Sequence, residues 1–268
     1  MNTPNRIDKK FQELRAAAKS GFIAYITAGD PSPAATVDLV LALEKCGVDI
    51  IELGIPFSDP LADGATIQAA SGRAIAAGTT VAAVLDAVRK IRASSQIPIV
   101  LFTYLNPIYV YGFDRFHADA AAAGADGLLI LDLPPDEAAR NAELAGTHGL
   151  LAIRLIAPTT PPDRIAQLTA GASGFVYYVS REGVTGERAE VADTLADGVA
   201  AIRATTALPV AVGFGISTPE HVRQVARHAD AVVVGSAIVK QIAEFGRDPD
   251  LVEKLASFVR PLAAAARA

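Results

Sequence analysis

The 268-residue sequence predicts an α/β fold, a parallel (β/α)8 barrel, and three observations carry that expectation. Short apolar runs recur eight times along the chain, and none alternates polar with apolar residues as a strand wetted on one face would. The segments between the runs have helical periodicity and helix punctuation. No linker or shift in composition interrupts residues 1–268, which favours a single domain. A doubly wound open sheet is the alternative. It would want a Gly-rich dinucleotide turn after the first strand, and the chain continues there as GDPSPAA.

In chain order, Ile7, Phe11 and Leu14 fall at i, i+4 and i+7 and predict an amphipathic N-terminal helix. The strand candidates are FIAYITAG (22–29), DIIELGIP (49–56), PIVLFTYL (98–105) and GLLILDLP (127–134). LLAIRLIA (150–157), GFVYYVS (174–180), LPVAVGFG (208–215) and DAVVVGSA (230–237) complete the set. The helix after the first strand opens at Ser32-Pro33 and closes on Gly47, matching a capping side chain and a C-terminal glycine. Pro161-Pro162-Asp163 and Thr218-Pro219-Glu220 are helix starts of the same kind, with an acid placed to meet the helix dipole. One connection is oversized. Residues 56–78 form a Pro/Asp/Gly loop and then an extra helical stretch, and the apolar Phe57, Leu61 and Ile67 mark it as ordered. A second extra helix is expected after the eighth strand.

Composition narrows the function classes. Hydrophobic residues make up 51% and charged residues 20%, so a large core is available and wholesale disorder is excluded. A net charge of -5 without a Lys/Arg cluster argues against a nucleic-acid or anionic-membrane surface. The N-terminus is charged and has no apolar core of a secretory signal, and no apolar stretch approaches a membrane span, so a cytoplasmic location is expected. The single cysteine, Cys46, reads as a small buried hydrophobe. His117, His148, His221 and His228 fall in helical or helix-flanking segments and read as solvated helix positions.

In such a barrel, reactive groups sit at the C-terminal ends of the strands. Those ends supply Asp30, Glu52 with Asp63, Tyr104 with Asn106, Asp132, Thr159, Tyr177 with Ser180, Gly213 with Gly215, and Gly235 with Ser236. No Asp/His/Cys cluster has metal-ligand spacing, and no Ser has a nearby His, so metal hydrolysis and triad chemistry are disfavoured. Two features remain. VGFGIST (212–218) and VVGSAIV (233–239) place glycines after the seventh and eighth strands, the second running straight into a helix whose N–H groups would attract a phosphate dianion. The sixth loop, SREGVTGERAE (180–190), has the Gly-rich, charged composition of a lid. The second feature is the acid pair. Asp63 can be read as an ordinary Asp-Gly turn residue, but Glu52 follows Ile50-Ile51 in a buried run, where a carboxyl would have a raised pKa and could donate a proton near neutrality. The residues alone therefore point to a small phosphorylated molecule and proton transfer by one or two carboxyl groups.

ELGIPFSDPLADG, with GDP after the first strand, TYLNPIY after the third, DLP after the fourth, SREGVTG after the sixth, VGFGIS and VGSAIV, resembles the tryptophan synthase alpha subunit family. The likeness runs from about residue 20 to residue 240 and includes every barrel loop. It implies retro-aldol-like cleavage of indole-3-glycerol phosphate to indole and glyceraldehyde 3-phosphate. By the same resemblance Glu52 is the principal acid–base group, Asp63 the carboxylate facing the indole N–H, Tyr177 the hydroxyl beside them and Thr185 the lid residue. Gly186, Phe214, Gly215, Gly235 and Ser236 match the phosphate site; Tyr25, Phe102, Tyr104, Leu129 and Leu155 would wall the indole pocket. Tyr25 stands where Phe is common in the family, and Leu131 where a smaller residue often occurs. The implied partner is a beta subunit in an α2β2 assembly, with pyridoxal phosphate in that partner and no cofactor in this chain. Pro56, Phe57, Asp59, Asn106, Pro107 and Tyr109, in two loops of the catalytic rim, are the expected contacts. Two rival readings are a sugar-phosphate isomerase or epimerase with the same phosphate site, and a catalytically idle barrel that only activates a partner.

Overall fold

A computed structural model describes residues 4–180, 188–213 and 215–268. The strands are β1 (Gly21–Thr27), β2 (Ile50–Gly54), β3 (Ile99–Thr103), β4 (Gly127–Ile130), β5 (Leu151–Ile156), β6 (Val176–Val179), β7 (Val210–Gly213) and β8 (Ala231–Val234). All pair in parallel with their sequence neighbours, and β8 returns to β1, so the sheet closes into a barrel. Each expected strand is present. Around them run α1 (Arg6–Ala16), α2 (Pro33–Lys45), α3 (Ala65–Ala76), α4 (Val81–Arg92), α5 (Leu105–Tyr111) and α6 (Phe113–Ala123). The circuit continues with α7 (Pro135–Thr147), α8 (Pro162–Ala170), α9 (Arg188–Arg203), α10 (Pro219–Ala226), α11 (Ser236–Phe245) and α12 (Leu251–Ala265). Among the described residues no helix is long and apolar enough to cross a membrane.

The two-residue side-chain period of a strand sorts the core into two layers. Phe22, Ala24 and Ile26 of β1, with Ile51 and Leu53 of β2, face outward and pack under the helices. Ile23, Ile50, Val100, Leu129, Ile153, Phe175, Ala211 and Ala231 face inward and fill the lumen. The stripe Ile7, Phe11 and Leu14 joins this inner cluster, so α1 plugs the N-terminal mouth, with the Phe11 and Phe175 rings 5.7 Å apart. With one mouth sealed, a ligand can enter the lumen only from the other.

Side chains placed just before the even-numbered strands lock the strand pairs at the sealed end. Asp49, Asp126 and Asp230 each accept the N–H of the first turn of the preceding strand, from Phe22 (2.9 Å), Ile99 (2.8 Å) and Val210 (2.9 Å). Ser173 Oγ does the same for Ala152 at 2.7 Å. Asp126, 2% exposed, also binds Arg92 at 2.6 Å and Arg6 at 2.8 Å, which ties α1 and α4 to the barrel floor. Neutralising a buried carboxylate from two guanidinium groups and a backbone donor offsets its desolvation.

Helix starts follow the sequence signals. Ser32, Thr80 and Thr218 cap α2, α4 and α10 through their hydroxyls, and Cys46 closes α2, buried as expected. Two expectations are corrected. The stretch 106–112 is not a loop: it folds into α5, because Ile108 finds the core on one side and Gly112, at φ +103°, reverses the chain into α6. His117 is not a solvated helix position. It is fully buried, its Nδ1–H donating to the Phe113 carbonyl at 2.8 Å and its Nε2 meeting Asn141 at 2.9 Å, so two partners repay its removal from water.

Candidate active site

Glu52 is the third residue of β2. Its neighbour two positions back, Ile50, fills the lumen, so strand alternation turns Glu52 inward as well, between Tyr25 of β1 and Val100 of β3. It is 1% exposed, and its Oε1 has no hydrogen-bond partner among the described residues. Burial without a cation pushes the carboxyl up to about 8, which leaves it protonated at neutral pH. A partnerless buried acid is costly to the fold and is the group a proton-transfer site requires.

Asp63 arrives from the oversized loop. Its N–H donates to the Pro60 carbonyl at 3.0 Å, and Gln68 Nε2 on α3 donates to its carbonyl at 2.8 Å, so a tight turn feeds directly into the helix. The carboxyl is held from a different loop. Tyr104 Oη donates to Asp63 Oδ2 at 3.1 Å and accepts the Ala62 N–H at 3.0 Å. Burial raises the Asp63 carboxyl above its ordinary range, and the Tyr104 hydrogen bond pulls it part of the way back. At the far end of α3, Arg73 grips the buried Asp30 through two parallel hydrogen bonds of 2.8 and 2.7 Å, fixing the helix to the loop after β1.

Glu52 and Asp63 face one cavity of about 490 Å³ at the open mouth of the barrel. Tyr25, Phe102, Leu131, Leu155 and Tyr177 form its apolar wall, with Tyr25 and Phe102 in an edge-to-face contact at 5.1 Å. A flat aromatic ligand fits that lining. The Tyr177 hydroxyl is held well above its ordinary pKa, first by burial and then by Glu52 and Tyr25, so it stays a neutral donor. The extra hydroxyl of Tyr25 lies 3.4 Å from Thr27 Oγ1, in space left by Gly54, where a Cβ would collide with it.

Two of the expected pocket residues stand elsewhere. Leu129 faces the lumen one layer deeper, fully buried, and Leu131, two residues further along on the same face, reaches the cavity in its place. Tyr104 does not line the cavity and instead orients Asp63 from behind. Sequence inspection did not single out Thr66, Ile216, Ser217, Lys240 or Gln241 as cavity residues. For Lys240 the available signal was its position one helical turn after Ser236.

Gly215, Gly235 and Ser236 line the same cavity. Gly215 has φ +68°, which a side chain would strain. No side chain caps α11 at Gly235, so the N–H groups of its first turn remain open toward the cavity. Such an uncapped helix start suits an anion. Thr185, Gly186 and Phe214 lie outside the described residues. Among the described residues no group of three or more His, Cys, Asp or Glu side chains converges as a metal site would require.

The rim around the mouth is apolar in part. Leu61 is 91% exposed, Tyr109 77% and Val110 79%, while Asn106 and Asp59 are also exposed and Pro107 partly so. Phe57 folds back on Tyr104, with ring centroids 5.4 Å apart, and Tyr111 is tied to Asp119 at 2.6 Å. Pro56 is buried in the chain itself and offers nothing to a partner's surface.

A family model described as "Tryptophan synthase alpha chain" matches residues 11–267. The tryptophan synthase alpha chain of Geobacter sulfurreducens is 52% identical over 258 residues, 96% of this chain and 97% of that one. That of Citrifermentans bemidjiense is 50% identical, over 96% of each chain. The crystal structure of tryptophan synthase subunit alpha from Legionella pneumophila superposes with a TM-score of 0.91 at 41% identity, covering 98% of this chain and 99% of that one.

Proposed function

The chain belongs to the tryptophan synthase alpha chain family, and we propose that it cleaves indole-3-glycerol phosphate to indole and glyceraldehyde 3-phosphate, a lyase step of tryptophan biosynthesis. The observation that carries the reading is the buried, protonated Glu52 facing the cavity it shares with Asp63.

Breaking the bond between indole C3 and the glycerol chain requires an electron sink in the ring. The neutral Glu52 carboxyl donates its proton to C3, and the ring becomes an indoleninium cation. Asp63 accepts a hydrogen bond from the ring N–H and stabilises that positive charge, most effectively where water is scarce. The Glu52 carboxylate then takes the proton of the hydroxyl on the adjacent chain carbon. The carbonyl of glyceraldehyde 3-phosphate forms, the carbon–carbon bond breaks, and its electron pair returns to the ring as indole. Glu52 ends protonated, so the cycle closes without an external acid. Tyr25, Phe102 and Leu155 hold the ring, while Gly215, Gly235 and Ser236, with Gly186 and Phe214, take the phosphate.

A tryptophan synthase beta subunit is the partner. In an α2β2 assembly it covers the rim that exposes Tyr109, Val110, Leu61 and Asn106, with Asp59, Phe57 and Pro107 at the edge, and receives the indole for condensation with serine. Covering that apolar surface would close the mouth and fix the Asp63 loop.

Indole release from indole-3-glycerol phosphate, with and without purified beta subunit, tests the reading. Low activity alone and a large rise in kcat with the partner are expected, and Glu52→Gln or Asp63→Asn should each cost ~10²–10⁴-fold in kcat. A folded wild-type chain that releases no indole even with the partner would leave the rival of an idle, activating barrel.

A further inference from the structure

We propose, on the assignment just made, that Lys240 is a specificity-determining residue of this enzyme, supplying the cationic charge that draws the substrate's phosphate dianion to the start of α11. Among the described residues lining the cavity, Glu52, Asp63 and Lys240 are the acidic and basic side chains, and Lys240 alone is a cation. Glu52 is held neutral, but Asp63 brings a carboxyl group to the mouth of a chain whose net charge is -5, so an approaching dianion gains no attraction there unless a cation supplies it.

Lys240 is placed to do so. It follows Ser236 by four residues on a ten-residue helix, which puts it on the same face as the uncapped first turn. It is exposed, and no hydrogen bond or ion pair occupies its ammonium among the described residues. Glu244, one turn further on, is positioned for an i, i+4 pair, yet the lysine lines the cavity instead of pairing with it. The backbone N–H groups at Gly235 and Ser236 give direction to the phosphate but only partial charge. A lysine, a point charge on a flexible stem, adds long-range attraction without demanding fixed geometry.

The test measures glycerol 3-phosphate binding by calorimetry at low and high salt, beside steady-state indole release, for wild type, Lys240→Gln, Lys240→Glu and Lys240→Arg. Because the side chain is exposed, all four should fold alike, which melting curves check. Lys240→Gln is expected to weaken glycerol 3-phosphate and raise KM about tenfold, the usual scale of one hydrogen bond to a charged group. The kcat should stay within about twofold, since the lysine is assigned to holding the phosphate and takes no part in the proton transfers. Lys240→Glu should be weaker still, Lys240→Arg close to wild type, and added salt should penalise wild type more than Lys240→Gln. Unchanged phosphate affinity and KM in both the Gln and Glu variants would overturn the inference. A wild-type chain that binds glycerol 3-phosphate yet releases no indole would refute the reaction and not this role, which the binding series decides separately.

Discussion

Glu52 shows one burial acting on both activity and stability. Its carboxyl ionises at about 8 in the folded chain, against 4.5 as its ordinary value. Between those pH values the native state holds a proton that the unfolded chain has released, so folding stability declines as pH rises from 4.5 to 8 and then levels off. Glu52→Gln removes the titration while keeping the shape. Above pH 8 that variant should be more stable than wild type by roughly 3–5 kcal/mol, and at pH 5 the difference should largely vanish. Urea unfolding at pH 5 and pH 9 checks this, and an equal difference at both would mean Glu52 is already charged in the native state. The same protonation gives wild-type kcat/KM a limb that falls above about pH 8.

At the scale of elements, α5 is the piece that connects the outside of the molecule to the acid pair. Tyr104 is its capping residue, Tyr109 and Val110 its exposed face, and the Tyr104 hydroxyl is the donor to Asp63. A partner seated on α5 would thereby act on the Asp63 loop through one rigid ring. Tyr104→Phe removes the donor to Asp63 and the acceptor for Ala62 N–H but retains the stack with Phe57. We expect kcat to fall about tenfold, KM to change little, and the stimulation by beta subunit to shrink. Full activity with full stimulation would show that Asp63 is positioned by α3 alone. The stretch 106–112 gave no helical signal of its own because it is short, contains Pro107 and shows its apolar residues on two sides; contact of Ile108 with the core decides its state.

Across the whole molecule, stability and chemistry occupy opposite ends of the barrel. The sealed end holds α1, the inner aromatic pair and the aspartates that latch strand to strand, while the open end holds an unpaired acid and an uncapped helix. Asp126→Ala would leave Arg92, 10% exposed, without its counter-ion and the Ile99 N–H without its acceptor. Breaking a buried pair on one side costs about 3–5 kcal/mol, so a drop of that size in unfolding free energy is expected, with kcat per folded molecule unchanged. A loss under about 1 kcal/mol would mean that water or a neighbour replaces the carboxylate.

The sequence by itself determined the eight strands, their parallel order and the amphipathic N-terminal helix, and it marked Glu52 as the acid out of place. Each of these follows from local period, capping chemistry or a buried run that no charged residue would join without a task. What it could not supply is depth. Leu129 of β4 and Leu131, just past its end, point the same way, and only barrel closure, which stacks inward side chains in layers, buries the first in the lumen and brings the second to the cavity. His117 and Asn141 lie far apart along the chain and become partners only when α6 packs beside α7. Tyr104 and Asp63 meet in the same way, across two loops whose approach no local pattern records. Periodicity tells a side chain which way to point; the closed sheet decides what it meets there.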